Sequence, residues 1–259
     1  MEESVGEVLT VAMEAGKVML ENGAETFRVE DTMKRIASHY GVRESDFFVL
    51  TNGIFTSGTE TNGNSFARVK YIPVNSPNLS KVVAINQLSR EIARDKYTLK
   101  EAREEIERIK RMNAKTTLER LSATSLSAAC FALLFSGTLK DGLVALIAGL
   151  FLGLFIEFIS KPHLSKITSN LIGSALVTSI CLIFHHYGLS DNMNAMIAGS
   201  IIPLIPGIPF VNGIRDIGNG DYLSGMVRLL DAIFVFICIA VGVGVILALY
   251  SRIQGGLFL

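Results

Sequence analysis

The stretch IIPLIPGIPFVNGIRDIGNGDYLSG, Ile201 to Gly225, decides how this chain folds. Three of the six prolines, Pro203, Pro206 and Pro209, fall at helical spacing in a segment otherwise apolar enough to enter a bilayer. Each proline removes a backbone donor and clashes with the preceding turn, so the segment is expected to break. At membrane depth a break is tolerated only where the freed backbone groups are buried in protein or line a polar cavity, as in the broken helices of transporters.

Outward from this stretch the chain divides by charge. Of 24 basic and 24 acidic residues, 18 of each lie in the first 120 positions and 6 of each follow. This predicts an N-terminal soluble domain over 1–118 and a membrane domain over 119–259. Net charge is zero, whereas binding a phosphate backbone requires a basic surplus, so nucleic acid is not an expected partner. Cys130, Cys181 and Cys238 all sit in apolar runs and read as buried small hydrophobes, not a disulfide frame or a metal site. The acidic MEESVGEVLT start lacks a basic n-region, so no cleaved signal peptide is expected.

The soluble half reads as α+β. Val5, Val8, Leu9, Ala12, Met13, Gly16, Met19 and Leu20 predict an amphipathic helix stopped at Asn22-Gly23, and a second helix follows over Ala24 to Tyr40. Three strand-like pieces come next, Asp46 to Leu50, Ile54 to Thr59 and Phe66 to Pro73. Asn52-Gly53 and Asn62-Gly63 between them favour tight hairpins through positive φ. Helices over Leu79 to Arg94 and Thr98 to Lys115 complete it. The second has a Thr98…Glu101 capping box and Glu104/Arg108 and Glu107/Arg111 pairs. No phosphate loop, nucleophile elbow or metal-ligand spacing is present, so no cofactor is expected. The densest polar run contains Glu25, Thr26, Arg28 and Glu30, read either as an interhelical turn or as a ligand or gating contact.

The membrane half reads as all-α with five spans, about 121–139, 142–160, 168–187, 193–211 and 229–251, the fourth broken at its prolines. Gly149 and Gly153, Gly173-Ser174-Ala175, and Gly242 and Gly244 mark close helix contacts. Basic residues crowd the approach to the first span and the loops holding Lys161, Lys166, Arg215 and Arg228, against Lys140 and Arg252 opposite. By the positive-inside rule the soluble domain is cytoplasmic and the C-terminus outside.

The polar groups of this half supply the candidate site. Backbone groups freed at Pro206, Gly207 and Pro209, with Asn212 and Asp216 at the mouth and Asn170 and Ser174 from the third span, form the expected substrate lining. Glu157, Arg215, Asp221, Arg228 and Asp231 fall at the cytoplasmic span ends as coupling or gating candidates, with Arg228 pairing Asp231. His185 and His186 are adjacent, so their side chains point apart, which disfavours a metal site.

Two distant motifs then stand out: Asn22-Gly23-Ala24-Glu25-Thr26-Phe27-Arg28-Val29-Glu30, and Pro206-Gly207-Ile208-Pro209 with Asn212-Gly213-Ile214-Arg215-Asp216 and Gly220-Asp221-Tyr222-Leu223-Ser224-Gly225. Together they resemble the threonine/serine exporter family over nearly the whole chain. The resemblance implies a secondary, non-enzymatic exporter of small hydrophilic metabolites in the cell inner membrane, its substrates threonine and serine or C4-dicarboxylates such as succinate. It also implies the larger, soluble-domain-bearing subunit of a two-subunit form, whose partner is a smaller membrane subunit or a second copy of this chain. A membrane-anchored regulatory or ligand-binding module is the alternative, and a membrane-embedded enzyme a third reading. A plain anchor, however, has no use for three prolines in one span.

Overall fold

The computed structural model of the protein describes residues 4–42, 44–59, 65–73, 77–112, 115–160 and 163–253. Its contacts divide the chain into two units, Met1–Ala114 with Gly207–Leu230, and Lys115–Pro206 with Asp231–Leu259. The described residues are mostly helical, with one small antiparallel sheet.

The first unit is built on helix α1 (Val5–Glu21), started by the Ser4 hydroxyl accepting from the Glu7 amide. Its apolar residues were expected to mark one face. Instead Val8, Leu9, Val11, Ala12, Met13, Ala15 and Val18 are all at most 2% exposed, because α2 (Thr26–His39), β2 (Gly53–Thr59), α3 (Leu79–Ile92) and α4 (Leu99–Lys110) pack around it. Gly16 makes room for Met33, whose Sδ lies 2.3 Å from where a Cβ would stand. Gly23, at φ +86, ends the α1 turn in the left-handed region that glycine enters without steric cost.

Strands β1 (Ser45–Leu50), β2 and β3 (Ser65–Tyr71) form a meander in that order. Phe47, Val49 and Ile54 face inward, while the cross-strand row Phe48, Phe55 and Val69 faces out. The first hairpin turns at Thr51-Asn52, with Gly53 already in β2 opposite Leu50. Neither Asn52 nor Gly53 has positive φ, so the turn does not use the property that drew attention to the pair. The Asn62-Gly63 pair lies outside the described residues. The α4 capping box forms between Thr98 and Glu101. The expected pairs four apart are replaced by Arg108 with Glu105 and Lys110 with Glu107, three apart and also adjacent on a helix surface.

The second unit begins with α5 (Thr117–Leu134), capped by Thr116 and Glu119, and α6 (Leu139–Leu154), which continues through a wide π-type turn over Phe155–Ser160. The boundary between them corrects the first expected span. A Thr138–Asp141 capping box starts α6 at Leu139, and the chain reverses at Ser136, φ +65. Helix α7 (Lys166–His186) follows, then α8 (Met193–Ile201), which closes in a tight turn over Ile202–Leu204. Glycines set the helix spacing. A Cβ at Gly149 would stand 2.8 Å from Ala128 Cβ and 2.9 Å from Ser125 Cα, and one at Gly199 would stand 2.4 Å from the Ala132 amide. Gly242 sits equally close to Ser174, but Gly244 faces open space and does not serve the close contact expected of it.

Beyond the tight turn, Ile205 is extended, as a residue preceding proline must be, and Pro206 separates it from α9 (Gly207–Gly218). Pro203 lies at the start of the tight turn and Pro209 in the first turn of α9. At Pro209 the missing amide proton removes no intrahelical bond, whereas Pro203 denies α8 a donor in the turn that closes it, and the chain leaves helical geometry at Ile205-Pro206. The final helix, α10 (Tyr222–Ile253), starts seven residues earlier than the fifth expected span. Among the described residues three helices are by length and composition long and apolar enough to cross a membrane, 139–160, 166–186 and 222–253. The interrupted pair 193–204 and 207–218 makes a fourth if it counts as one broken span or re-entrant segment. α5 is not among them, since Glu119 and Arg120 enter its first turns. Only 22% of the apolar window of α10 is buried. An apolar helix so little covered by its own chain is solvated by lipid or by another membrane helix.

Gly149→Leu should force α5 and α6 apart at a cost of about 1–3 kcal/mol, the usual range for overpacking against backbone. Gly244→Leu should leave stability unchanged. Thermal unfolding of both variants in detergent checks the pair.

Candidate functional site

The two motifs far apart in sequence meet inside the first unit. Between α1 and α2 the segment Gly23–Thr26 presents four consecutive residues to the α9–α10 elbow, and each is held. The Gly23 carbonyl accepts from Asn212 Nδ2 at 2.9 Å, and the Ala24 carbonyl from Arg228 Nη2 at 2.9 Å. The Glu25 carboxylate takes Arg215 Nη1 at 2.5 Å, and Thr26 Oγ1 donates to Asp216 Oδ1 at 3.0 Å. Asn212, Arg215 and Asp216 are spaced i, i+3, i+4, which puts them on one face of α9.

Local sequence explains the arrangement. Gly220, φ +88, turns the chain between the helices, and the Asp221 amide donates back to the Asp216 carbonyl. The Asp221 carboxylate accepts from the Ser224 amide at 3.0 Å, so its charge caps the first turn of α10. The helices then approach through glycine. A Cβ at Gly225 would stand 2.7 Å from the Gly213 carbonyl and 2.5 Å from Ile217 Cγ1. That approach brings Arg228, 10% exposed in its side chain, to Asp216, which is fully buried, with Arg228 Nε 3.3 Å from Asp216 Oδ2. Asp216 Oδ2 receives no hydrogen bond, so the guanidinium charge alone compensates it.

Glu25 occupies the position before α2 without capping that helix, because its carboxylate is taken by Arg215 and by Arg28, whose Nε lies at 3.2 Å. Burial pushes its carboxyl up, but the two guanidinium groups outweigh burial and hold it below the ordinary value of 4.5. Glu30 Oε1 accepts from the Val49 amide at 3.1 Å and ties α2 to β1.

Most of the remaining candidates belong to the second unit and are engaged differently. Glu157 is bound by Arg120, and Asp231 by Lys166. Arg228 and Asp231 therefore do not pair as expected: Arg228 is buried against Asp216. Asn170, Ser174 and Thr178 donate to carbonyls of their own helix, Lys166, Leu171 and Ser174 respectively. Pro206 belongs to this unit, Gly207 and Pro209 to the first. Sequence reasoning missed Arg120 and Lys166, whose only signal was a basic residue near a membrane boundary. It also missed the Gly23 and Ala24 carbonyls, which carry no signal at all. Among the described residues no group of three or more His, Cys, Asp or Glu could hold a metal ion.

Comparison with known proteins follows the same path along the chain. A family model described as "Putative threonine/serine exporter" matches residues 10–250. The chain is 22% identical over 243 residues to an Escherichia coli K12 protein named "Probable succinate transporter subunit YjjP", covering 93% of each chain. It is 21% identical, with the same coverage, to the Klebsiella aerogenes protein of that name. An uncharacterised Schizosaccharomyces pombe protein is 21% identical over 242 residues, 91% of this chain but 29% of the yeast protein. No solved structure matches.

Asp216→Asn or Arg228→Met alone should destabilise the protein by about 3–5 kcal/mol, because each strands its buried partner, while the double variant recovers much of the loss. Unfolding midpoints for the four proteins in a double-mutant cycle check this. For Glu25 the folded-state value is depressed, so its stabilisation is present above the unfolded value of about 4.5 and is lost as pH falls through the folded value. Stability of the wild type should therefore exceed that of Glu25→Gln at pH 7, with the difference vanishing in acid. A gap that does not shrink as pH falls below 4.5 contradicts the assignment.

Proposed function

The chain belongs to the threonine/serine exporter family, and from that premise we propose that it is the larger subunit of a secondary exporter that moves a small hydrophilic metabolite out of the cytoplasm. The observation that carries this reading is the interruption at Ile205-Pro206, directly followed by the polar face of Asn212, Arg215 and Asp216. Lipid cannot satisfy the backbone freed by such a break, so it belongs beside protein or a hydrated path. We assign the substrate path to that break, at Pro206, Gly207 and Pro209.

A succinate-like dicarboxylate is the favoured substrate, with threonine or serine the other class. The name of the Escherichia coli relative supports the first and the family description the second. The word subunit in that name supports a partner, a smaller membrane subunit of the same family or a second copy of this chain. In this reading residues 1–118 form a cytoplasmic domain, apolar helices of 119–259 cross the inner membrane and the C-terminus lies outside. The charge asymmetry around Lys166, Arg215 and Arg228 supports that orientation. With no nucleotide motif in the sequence, export is driven by an ion or by the substrate's own gradient. Glu157 and Asp231 are the proposed proton-coupling groups. Each forms an ion pair with a basic residue, Arg120 and Lys166 respectively.

Proteoliposomes loaded with labelled succinate or threonine test the proposal. Efflux should require the partner subunit or a homo-oligomer and should favour one substrate class. Binding without efflux under every pairing would instead leave a membrane-anchored ligand-binding module, and chemical turnover of the substrate would point to an enzyme. The Glu157→Gln/Asp231→Asn double variant should lose pH-driven efflux, and unchanged flux removes the coupling role.

A further inference from the structure

The first unit contains a cleft of about 690 Å³ whose walls come from α2, α3 and the end of α9. Four arginines line it, Arg28, Arg35, Arg90 and Arg215, against two carboxylates, Glu25 and Asp31. Spacing explains the convergence. Arg28, Asp31 and Arg35 are i, i+3, i+7 on α2, while Asn86 and Arg90 are i, i+4 on α3.

The charges do not balance. Glu25 is shared by Arg28 and Arg215, and Asp31 is taken by Arg35. Arg90 has no ion pair or hydrogen bond among the described residues, and the same holds for the side-chain amides of Asn86 and Asn219. A guanidinium offers five donors in a planar fork, and the carboxylates present occupy few of them. The cleft therefore holds a surplus of two positive charges together with uncommitted N–H donors. Like charges gathered in one concavity repel unless an anion joins them. Phe27, 58% exposed, stands at the same cleft and offers an apolar wall to a short hydrocarbon chain.

We propose that this arginine-lined cleft binds a small organic dianion, a dicarboxylate, on the soluble unit of the chain. One guest carrying two carboxylates supplies the missing two charges, and each carboxylate matches a guanidinium fork. The identification of the guest as the transported molecule, captured before it reaches the membrane path, rests on the exporter reading. The binding itself does not.

The experiment is calorimetric titration of the full-length protein in detergent with succinate, threonine, butyrate and inorganic phosphate, together with efflux from proteoliposomes by the same preparations. Succinate should bind with an affinity that falls as salt rises, and threonine and butyrate at least tenfold more weakly. Arg90→Ala should weaken succinate about tenfold or more, in keeping with loss of a charge-assisted contact. Arg94→Ala, an exposed arginine on the same segment outside the cleft, should leave it unchanged. Phosphate binding as tightly as succinate overturns the dicarboxylate assignment in favour of a general anion site. No succinate binding, or binding indifferent to Arg90→Ala, overturns the site while leaving the exporter reading to the efflux result. Binding that obeys these expectations in a protein that moves no substrate under any pairing establishes the site and removes the exporter reading.

Discussion

The buried pair of Asp216 and Arg228 is the constraint around which the first unit closes. A carboxylate with no solvent exposure is costly unless a counter-charge and hydrogen bonds replace its water, and here Arg228 and Thr26 are those replacements. Because Arg228 also donates to the Ala24 carbonyl, the pair reaches out of its own hairpin and fixes the loop before α2. Polar contacts of this kind have one correct register. Rotating α9 by a single residue would carry Asn212, Arg215 and Asp216 away from Gly23, Glu25 and Thr26 together, so the cluster selects one docking geometry where apolar packing alone would tolerate several.

Both units reach close helix contact by the same means, the omission of side chains. Gly213 and Gly225 let the α9–α10 hairpin close until a carbonyl touches Cα space, and Gly149, Gly199 and Gly242 do so among the apolar helices. The purposes differ. In the hairpin, closeness serves the salt bridge that follows it. Among the apolar helices, where lipid competes on equal terms with leucine, closeness is itself the source of cohesion through dispersion contacts.

What could be read from the sequence was whatever depends on local rules. Asn22-Gly23 ended α1 as its positive-φ glycine requires, Thr98 and Glu101 formed their box, and the residue before Pro206 was driven out of the helix. The Thr138–Asp141 box is equally local, and it starts α6 three residues before the second expected span. Partner identity was not legible. Arg228 has Asp231 three residues along its own helix but turns to Asp216, because the interior of the hairpin leaves that carboxylate no water. Nor does a one-dimensional pattern announce that main-chain carbonyls at Gly23 and Ala24 serve as acceptors, since every residue owns one. Two of the four cleft arginines were invisible for a related reason: Arg35 and Arg90 lie on separate helices, and each alone looks like ordinary solvated surface.

The unbroken length of α10 carries a consequence for its acidic and basic residues. Thirty-two residues rise to roughly 48 Å, whereas the hydrocarbon slab is about 30 Å thick, so about a dozen residues must stand proud of it. Arg252 near one end and Arg228 and Asp231 toward the other bracket a stretch free of charge. The overhang therefore resides at the amino-terminal end, and the membrane boundary falls close to Asp231. A mast whose upper turns stand in water can carry ionic groups that the same helix seated a few turns deeper would have had to discharge.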